Sequence, residues 1–209
     1  TNKFVGGFDP QDSTKSNAIT PIYGLRKTAV VTLDKALQQV RLLCKRNCLP
    51  YPPAFDCLSG NVYTAQVFVK GNWAALAAEY APRGMTKDLA MFINFYTHES
   101  PFYPQLNKLL RDENRLALLP YFALTKGFLA ALYCLPLRPG NVKRGVKVDL
   151  SHSFQAGKEV TWWPFSSTTA DISVLQSPQF LGSSGPRTMF DIMARSLVSI
   201  KDFSSLDEE

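Results

Sequence analysis

Three clusters in the last third of the chain carry residue types that could do chemistry together. They are Arg144-Gly145-Val146, then Trp162-Trp163-Pro164-Phe165-Ser166-Ser167-Thr168-Thr169, then Asp207-Glu208-Glu209. A guanidinium grips phosphate or ribose oxygens as a bidentate fork, and a glycine after it lets a ligand approach the backbone. Consecutive hydroxyls at a strand end can orient a sugar and a carboxylate. Paired acids stabilise an oxocarbenium-like centre and position an acceptor, much as in glycoside cleavage. Each cluster also has an ordinary structural reading. Arg144 could pair with a surface acid on an edge strand, the hydroxyls could cap a helix, and the acids could form a solvated tail. Trp162 and Trp163 point to opposite faces of a strand, so at least one belongs in a core.

The elements that must position these residues change character along the chain. Residues 1–31 hold Gly, Pro, Ser, Thr and Asn without periodicity and read as an irregular arm. Thr32 precedes Leu33, Ala36, Leu37, Val40 and Leu43, the spacing of a short amphipathic helix capped by threonine. Residues 49–62 read as a loop, Val62–Lys70 as an alternating strand, and Trp73–Tyr80 as helix. Thr86 caps a run with Leu89, Phe92, Ile93 and Tyr96 on one face, and Pro101 opens a helix with Leu106, Leu109 and Leu110 facing inward. A third helix runs from about Asn114 to Tyr133, and Pro136 and Pro139-Gly140 end it. After Gly140 the period changes: Val142–Leu150, Glu159–Ser167, Thr188–Ala194 and Leu197–Asp202 are short, β-rich and separated by Gly, Ser and Pro clusters. Helices first and strands second predict an α+β protein, its sheet packed beside a helical layer.

Composition excludes several function classes. At 209 residues and 45% hydrophobic, the chain suits one well-packed domain, over residues 32–209, helical to about residue 140 and β-rich from about 141. The charge of +6 comes from dispersed Lys and Arg, without the aromatic and basic interleaving of a nucleic-acid binder. The apolar stretch 116–137 contains Pro120 and Lys126 and reads as a buried helix, so a soluble chain without a membrane span is expected. Thr1 reads as a processed or trimmed start with no secretory signal, and the compartment is left open. Cys44, Cys48, Cys57 and Cys134 match no zinc spacing and lack a nearby His, so no metal site is expected and the thiols read as free or buried, with one disulfide open. His98 and His152 are isolated, and no Gly-rich phosphate loop is present.

Taken in order, the clusters resemble the arginine-specific mono-ADP-ribosyltransferases, a family with an Arg, a Ser-Thr-Ser-like and a Glu-x-Glu motif. The similarity extends over most of the chain. The stretch from Leu89 to Arg115, with FYTHES and FYPQLNKLLRDENR, resembles the family's helical region ahead of its NAD cleft. VKRGVKVDL resembles the first strand, usually written Tyr-Arg-Gly, and TWWPFSSTT resembles the second motif. FLGSSGPRTMFDI resembles the next strand, and SIKDFSSLDEE the loop leading into Glu-x-Glu.

The resemblance implies a helical layer followed by a β-sandwich around an NAD cleft, with NAD as substrate and no metal. Arg144 and Gly145 would hold the diphosphate and ribose. Ser167, with Thr168 after it, would orient the nicotinamide ribose, and Phe180 would pack on nicotinamide. Glu209 would help position the acceptor, a protein with an exposed arginine. Two departures stand out: Lys143 replaces the usual aromatic, and Thr169 the last serine. Glu209 would be the first glutamate of the acidic pair, with the catalytic one and the final strands beyond the end. With a loop two residues shorter, Asp207 and Glu209 would form the pair. A catalytically degenerate domain, serving as a structural or interaction subunit of a larger assembly, is the other function the departures allow.

Overall fold

A computed structural model describes residues 24–112, 115–176, 181, 182 and 184–204. The chain divides into two compact units, Thr1–Cys134 and Leu135–Glu209.

Helices dominate the first unit. α1 (Leu33–Arg46) starts where Thr32 accepts the Lys35 N–H at 3.4 Å, and its buried residues Leu33, Ala36, Val40 and Cys44 recur at helical spacing. The connection beyond it closes back on α1. Arg41 pairs with Asp56 at 3.6 Å and lies 5.8 Å from the centre of the Tyr51 ring. A 3₁₀ turn, Pro53–Cys57, leads directly into α2 (Leu58–Tyr80).

The length of α2 corrects the expected loop at 49–62 and the expected strand at Val62–Lys70. Its buried positions are Leu58, Val62, Ala65, Val69, Leu76 and Tyr80, a period near 3.6. Tyr63 and Val67, inside the stretch expected to alternate, are 68% and 51% exposed. A helix apolar on most sides carries no clear periodic signature, and tertiary contact with α3 overrides the weak propensities of its valines and glycines.

The centre of the unit is α3 (Lys87–Thr97), capped by Thr86, which accepts the Leu89 N–H at 3.2 Å. It packs between α2 and α5 (Phe122–Tyr133), and from Phe92 to Thr97 every residue is buried. Phe95 lies 5.2 Å from Phe102 at the start of α4 (Phe102–Arg111), and Tyr96 stacks on Phe128 at 4.3 Å. Gly127 makes the α3–α5 approach possible, because a Cβ there would enter the Phe92 ring.

The expected third helix is two elements. Pro120 lacks an N–H, and the chain runs as a 3₁₀ turn, Arg115–Tyr121, before α5 begins. Residues 116–133 do reach 18 residues at a mean hydropathy of 1.5, enough for a membrane span by length and composition alone. Over half of that window, 56%, is buried within the protein. Leu118 and Leu124 are wholly covered.

The second unit holds an antiparallel pair, β1 (Arg138–Val146) and β2 (Thr188–Leu197), with α6 (Ile172–Leu175) between them in sequence. The order of helices followed by strands makes the protein α+β, as the change of period predicts. Several boundaries differ. β1 begins before Pro139-Gly140, where a register irregularity between Arg138 and Gly140 takes up the break in the ladder. It ends at Val146, short of Leu150. The two strands expected at 188–194 and 197–202 become one strand followed by a 3₁₀ turn, Lys201–Phe203. Glu159–Ser167 joins no strand ladder.

Two predictions test the helical packing. Gly127→Ala should destabilise the protein by about 1–3 kcal/mol through overpacking against Phe92. Gly71→Ala, inside α2 with open space around its Cβ, should stabilise it by about 0.5–1 kcal/mol. Urea unfolding of both variants checks the pair; equal effects would contradict the packing described. The second concerns His98, buried at the end of α3, where loss of hydration holds its pKa below the ordinary value. The unfolded chain takes up a proton near pH 6.5 and the folded one only at lower pH. Stability should therefore fall as pH drops through 6.5. Urea midpoints at pH 7.5 and 5.5 should show this fall, and His98→Gln should make it shallower.

Candidate functional site

β1 carries the first cluster, and its two edges bring the second to it. Lys143 donates its N–H to the Thr169 carbonyl at 2.7 Å and accepts the Thr169 N–H at 2.9 Å. In an antiparallel ladder one residue directs both backbone groups to the same edge. Lys143 therefore faces the Thr169 segment, while its neighbours Val142 and Arg144 direct theirs at β2, opposite Ile192 and Phe190. β1 is bounded by the Ser167–Thr169 segment on one edge and by β2 on the other.

Side chains alternate across the same strand. Arg144 and Phe190, directly opposite in the ladder, share a face. The half-buried guanidinium donates from Nη1 to the Ser167 carbonyl at 2.6 Å, across 23 residues of sequence. Its carbon lies 6.0 Å from the centre of the Trp162 ring. Trp162 is 4.9 Å from Phe190 and 5.6 Å from Phe154, and Phe154 meets Phe190 edge-on at 4.8 Å. The cation thus sits beside a carbonyl dipole and one ring of a three-ring aromatic cluster. Phe154 and Phe190 were not singled out from sequence. The alternation in TMFDIM suggests an inward Phe190, but only the register puts it opposite Arg144.

The hydroxyl cluster divides by role. Ser166 donates to the Pro164 carbonyl at a long 3.4 Å, and the buried Thr169 accepts the Asp171 N–H at 3.1 Å. Asp171 in turn caps α6 by accepting the Ser173 N–H at 2.8 Å, and that hydrogen bond holds its carboxyl below the usual range. One end of the cluster is therefore a turn into a helix. Ser167 is exposed and Thr168 half-buried, both beside the Arg144 contact.

On the opposite face, Lys143 forms a cross-strand ion pair with Asp191 at 3.0 Å. Gly145, paired with Met189, has its missing Cβ position occupied by the Leu181 side chain, so packing gives the glycine a reason beside any ligand. Phe180, Glu209 and Asp207 fall outside the described residues. Among the described residues no three His, Cys, Asp or Glu side chains gather as a metal site would require. All four cysteines are free, and burial raises the pKa of the Cys44 and Cys134 thiols.

Comparison with known proteins adds to this geometry. Residues 58–209 match the family described as NAD:arginine ADP-ribosyltransferase. Among solved structures, the chain is similar to the crystal structure of the eucaryotic mono-ADP-ribosyltransferase ART2.2, with a TM-score of 0.55. The two are 23% identical, and the likeness covers 83% of this chain and 73% of that one. At that identity the likeness is one of fold. No curated protein matches the chain.

Gly145 offers a test of packing on the face of β1 away from the cation. Gly145→Ala should cost about 1 kcal/mol or more, because the new methyl meets Leu181. Leu181→Ala in the same chain should recover part of the loss. Additive losses by urea denaturation would show that Leu181 is not what the glycine accommodates.

Proposed function

The chain belongs to the NAD:arginine ADP-ribosyltransferase family, and on that premise we propose that it transfers ADP-ribose from NAD to an arginine side chain of a protein, releasing nicotinamide. NAD-dependent mono-ADP-ribosyl transfer is the chemistry of the family; the arginine acceptor and the residue roles are our reading. One observation carries it. The Arg144 guanidinium reaches the Ser167 carbonyl at 2.6 Å, so the first two motifs meet at one place.

The residues present fit an anionic dinucleotide. A cation, an exposed hydroxyl and aromatic faces lie within one small region of the second unit. Bound NAD supplies the glycosidic carbon and the nicotinamide leaving group. Arg144 grips the diphosphate and adjoining ribose, where a planar fork suits phosphate oxygens better than an ammonium would. Ser167 orients the nicotinamide ribose through its hydroxyl, with Thr168 beside it, and we assign Gly145 to the NAD site through its backbone next to Arg144. We assign Phe180 to packing on nicotinamide. Glu209 would hold the acceptor guanidinium, a carboxylate being its natural partner.

Lys143 favours a second reading. It stands where the family usually has an aromatic residue, and it pairs with Asp191 on the face away from Arg144. A site that has lost cleft packing this way could persist as a non-catalytic interaction subunit.

The experiment uses the full-length protein with NAD and an arginine analogue. The transferase reading expects nicotinamide release and a modified analogue; NAD binding without either product would favour the interaction subunit. Arg144→Ala should weaken NAD binding by about 1.5–3 kcal/mol in calorimetry, and Arg144→Lys should recover only part. Ser167→Ala is the sharper variant. The Arg144 contact goes to the backbone carbonyl and survives the change, so a further loss of about 0.5–1.5 kcal/mol would belong to the hydroxyl. No loss would remove Ser167 from the site.

A further inference from the structure

The segment that carries Ser167 has an unusual attachment. Residues 158–168 join no strand ladder, yet Ser167 and Thr169 sit in contact with β1. The backbone pair between Thr169 and Lys143 fixes the far end of that segment. Within it stands Trp162, 38% exposed. A tryptophan whose only role was to fill a core would ordinarily be more covered. Its ring instead meets three partners at once: Phe190 at 4.9 Å, Phe154 at 5.6 Å and the Arg144 guanidinium at 6.0 Å. Phe190 itself is tied to Arg144 by register, as its direct cross-strand partner.

We propose that Trp162 is a positioning residue for Arg144, its indole held against Phe190 and Phe154 so that the guanidinium takes the orientation in which it meets both Ser167 and NAD. The inference rests on the function proposed above, because the orientation matters only for a ligand that Arg144 grips. The physical basis is the attraction between a cation and the negative face of an aromatic ring, strongest for tryptophan. An arginine side chain has four rotatable bonds and much rotamer freedom, which binding must otherwise restrict. A ring beside the guanidinium restricts it beforehand, and preorganisation of that kind raises affinity without any new contact to the ligand. Trp162 and Ser167 also lie on one segment only five residues apart, so the same strip of chain that orients the cation delivers the hydroxyl.

Three variants of the full-length protein separate this from a packing role. Trp162→Phe keeps an aromatic face, Trp162→Leu keeps apolar bulk without one, and Trp162→Ala keeps neither. In NAD titrations, Trp162→Leu and Trp162→Ala should weaken binding about five- to tenfold, while Trp162→Phe stays within about threefold of the parent. In the Arg144→Ala background, Trp162→Leu should cause no further loss, since the group it orients is gone. Leu binding NAD as well as Phe, or losses that multiply in the double variant, would overturn the proposal. A readout that needs no NAD guards against misfolding and against failure of the function itself. The Arg144 Nε–H resonance should carry a ring-current shift that Trp162→Leu removes and Trp162→Phe retains. An unchanged resonance in a folded Trp162→Leu protein would also overturn the proposal. A parent protein that binds no NAD, yet shows the resonance behaving as stated, would overturn the function while supporting the positioning.

Discussion

The second unit depends on β1 being engaged along both edges. The paired hydrogen bonds between Lys143 and Thr169 hold one edge, and the ladder to β2 holds the other. Backbone donors and acceptors inside a protein must find partners, and each such bond contributes about 0.5–1.5 kcal/mol net. The greater effect is geometric. Once Lys143 turns its backbone toward Thr169, strand alternation sends its side chain to Asp191 and that of Arg144 to the other face, opposite Phe190. The Arg144 bond to the Ser167 carbonyl then follows from the same register.

A shift of one residue in that register would move Arg144 to the outer face. Two features resist the slip. Thr188 accepts the Leu150 N–H at 2.9 Å and donates to the Val148 carbonyl at 2.8 Å, tying the chain after β1 to the start of β2. The cluster of Phe154, Trp162 and Phe190 also requires Phe190 on the Arg144 face. The helical unit is organised by a different constraint. α3 is covered around most of its circumference, and its approach to α5 rests on the one missing Cβ at Gly127. None of the residues expected to do chemistry lies in that unit.

The parts legible in the sequence were those with a local physical cause. Thr32 and Thr86 cap α1 and α3 because a hydroxyl before a helical run satisfies an otherwise orphaned N–H. The inward leucines of α4 follow from spacing alone. The failures have a common origin. α2 is apolar on several sides, so a local window over Val62–Lys70 shows no helical stripe; only contact with the rest of the unit selects Ala65 and Val69 over Tyr63 and Val67. Pro120 was visible, but whether it kinks, breaks or caps depended on what lay around it. Glu159–Ser167 has strand-like composition without a full-length partner, and strand composition does not by itself form a ladder.

By itself the sequence determined that a helical part precedes a β part, the caps of α1 and α3, and the residue types of the first two motifs, because those depend on side-chain chemistry and short-range periodicity. It also determined the family, through the motifs in their order over a long matching stretch. Tertiary structure alone decided which of those residues meet. Arg144 and Ser167 are 23 residues apart in sequence and touch through a backbone carbonyl, an atom common to every residue type. Phe154 and Phe190 reach the Trp162 ring beside that cation from two further segments. No residue type announces such contacts, since they arise from strand register, and register is settled only when the whole sheet is hydrogen-bonded and packed.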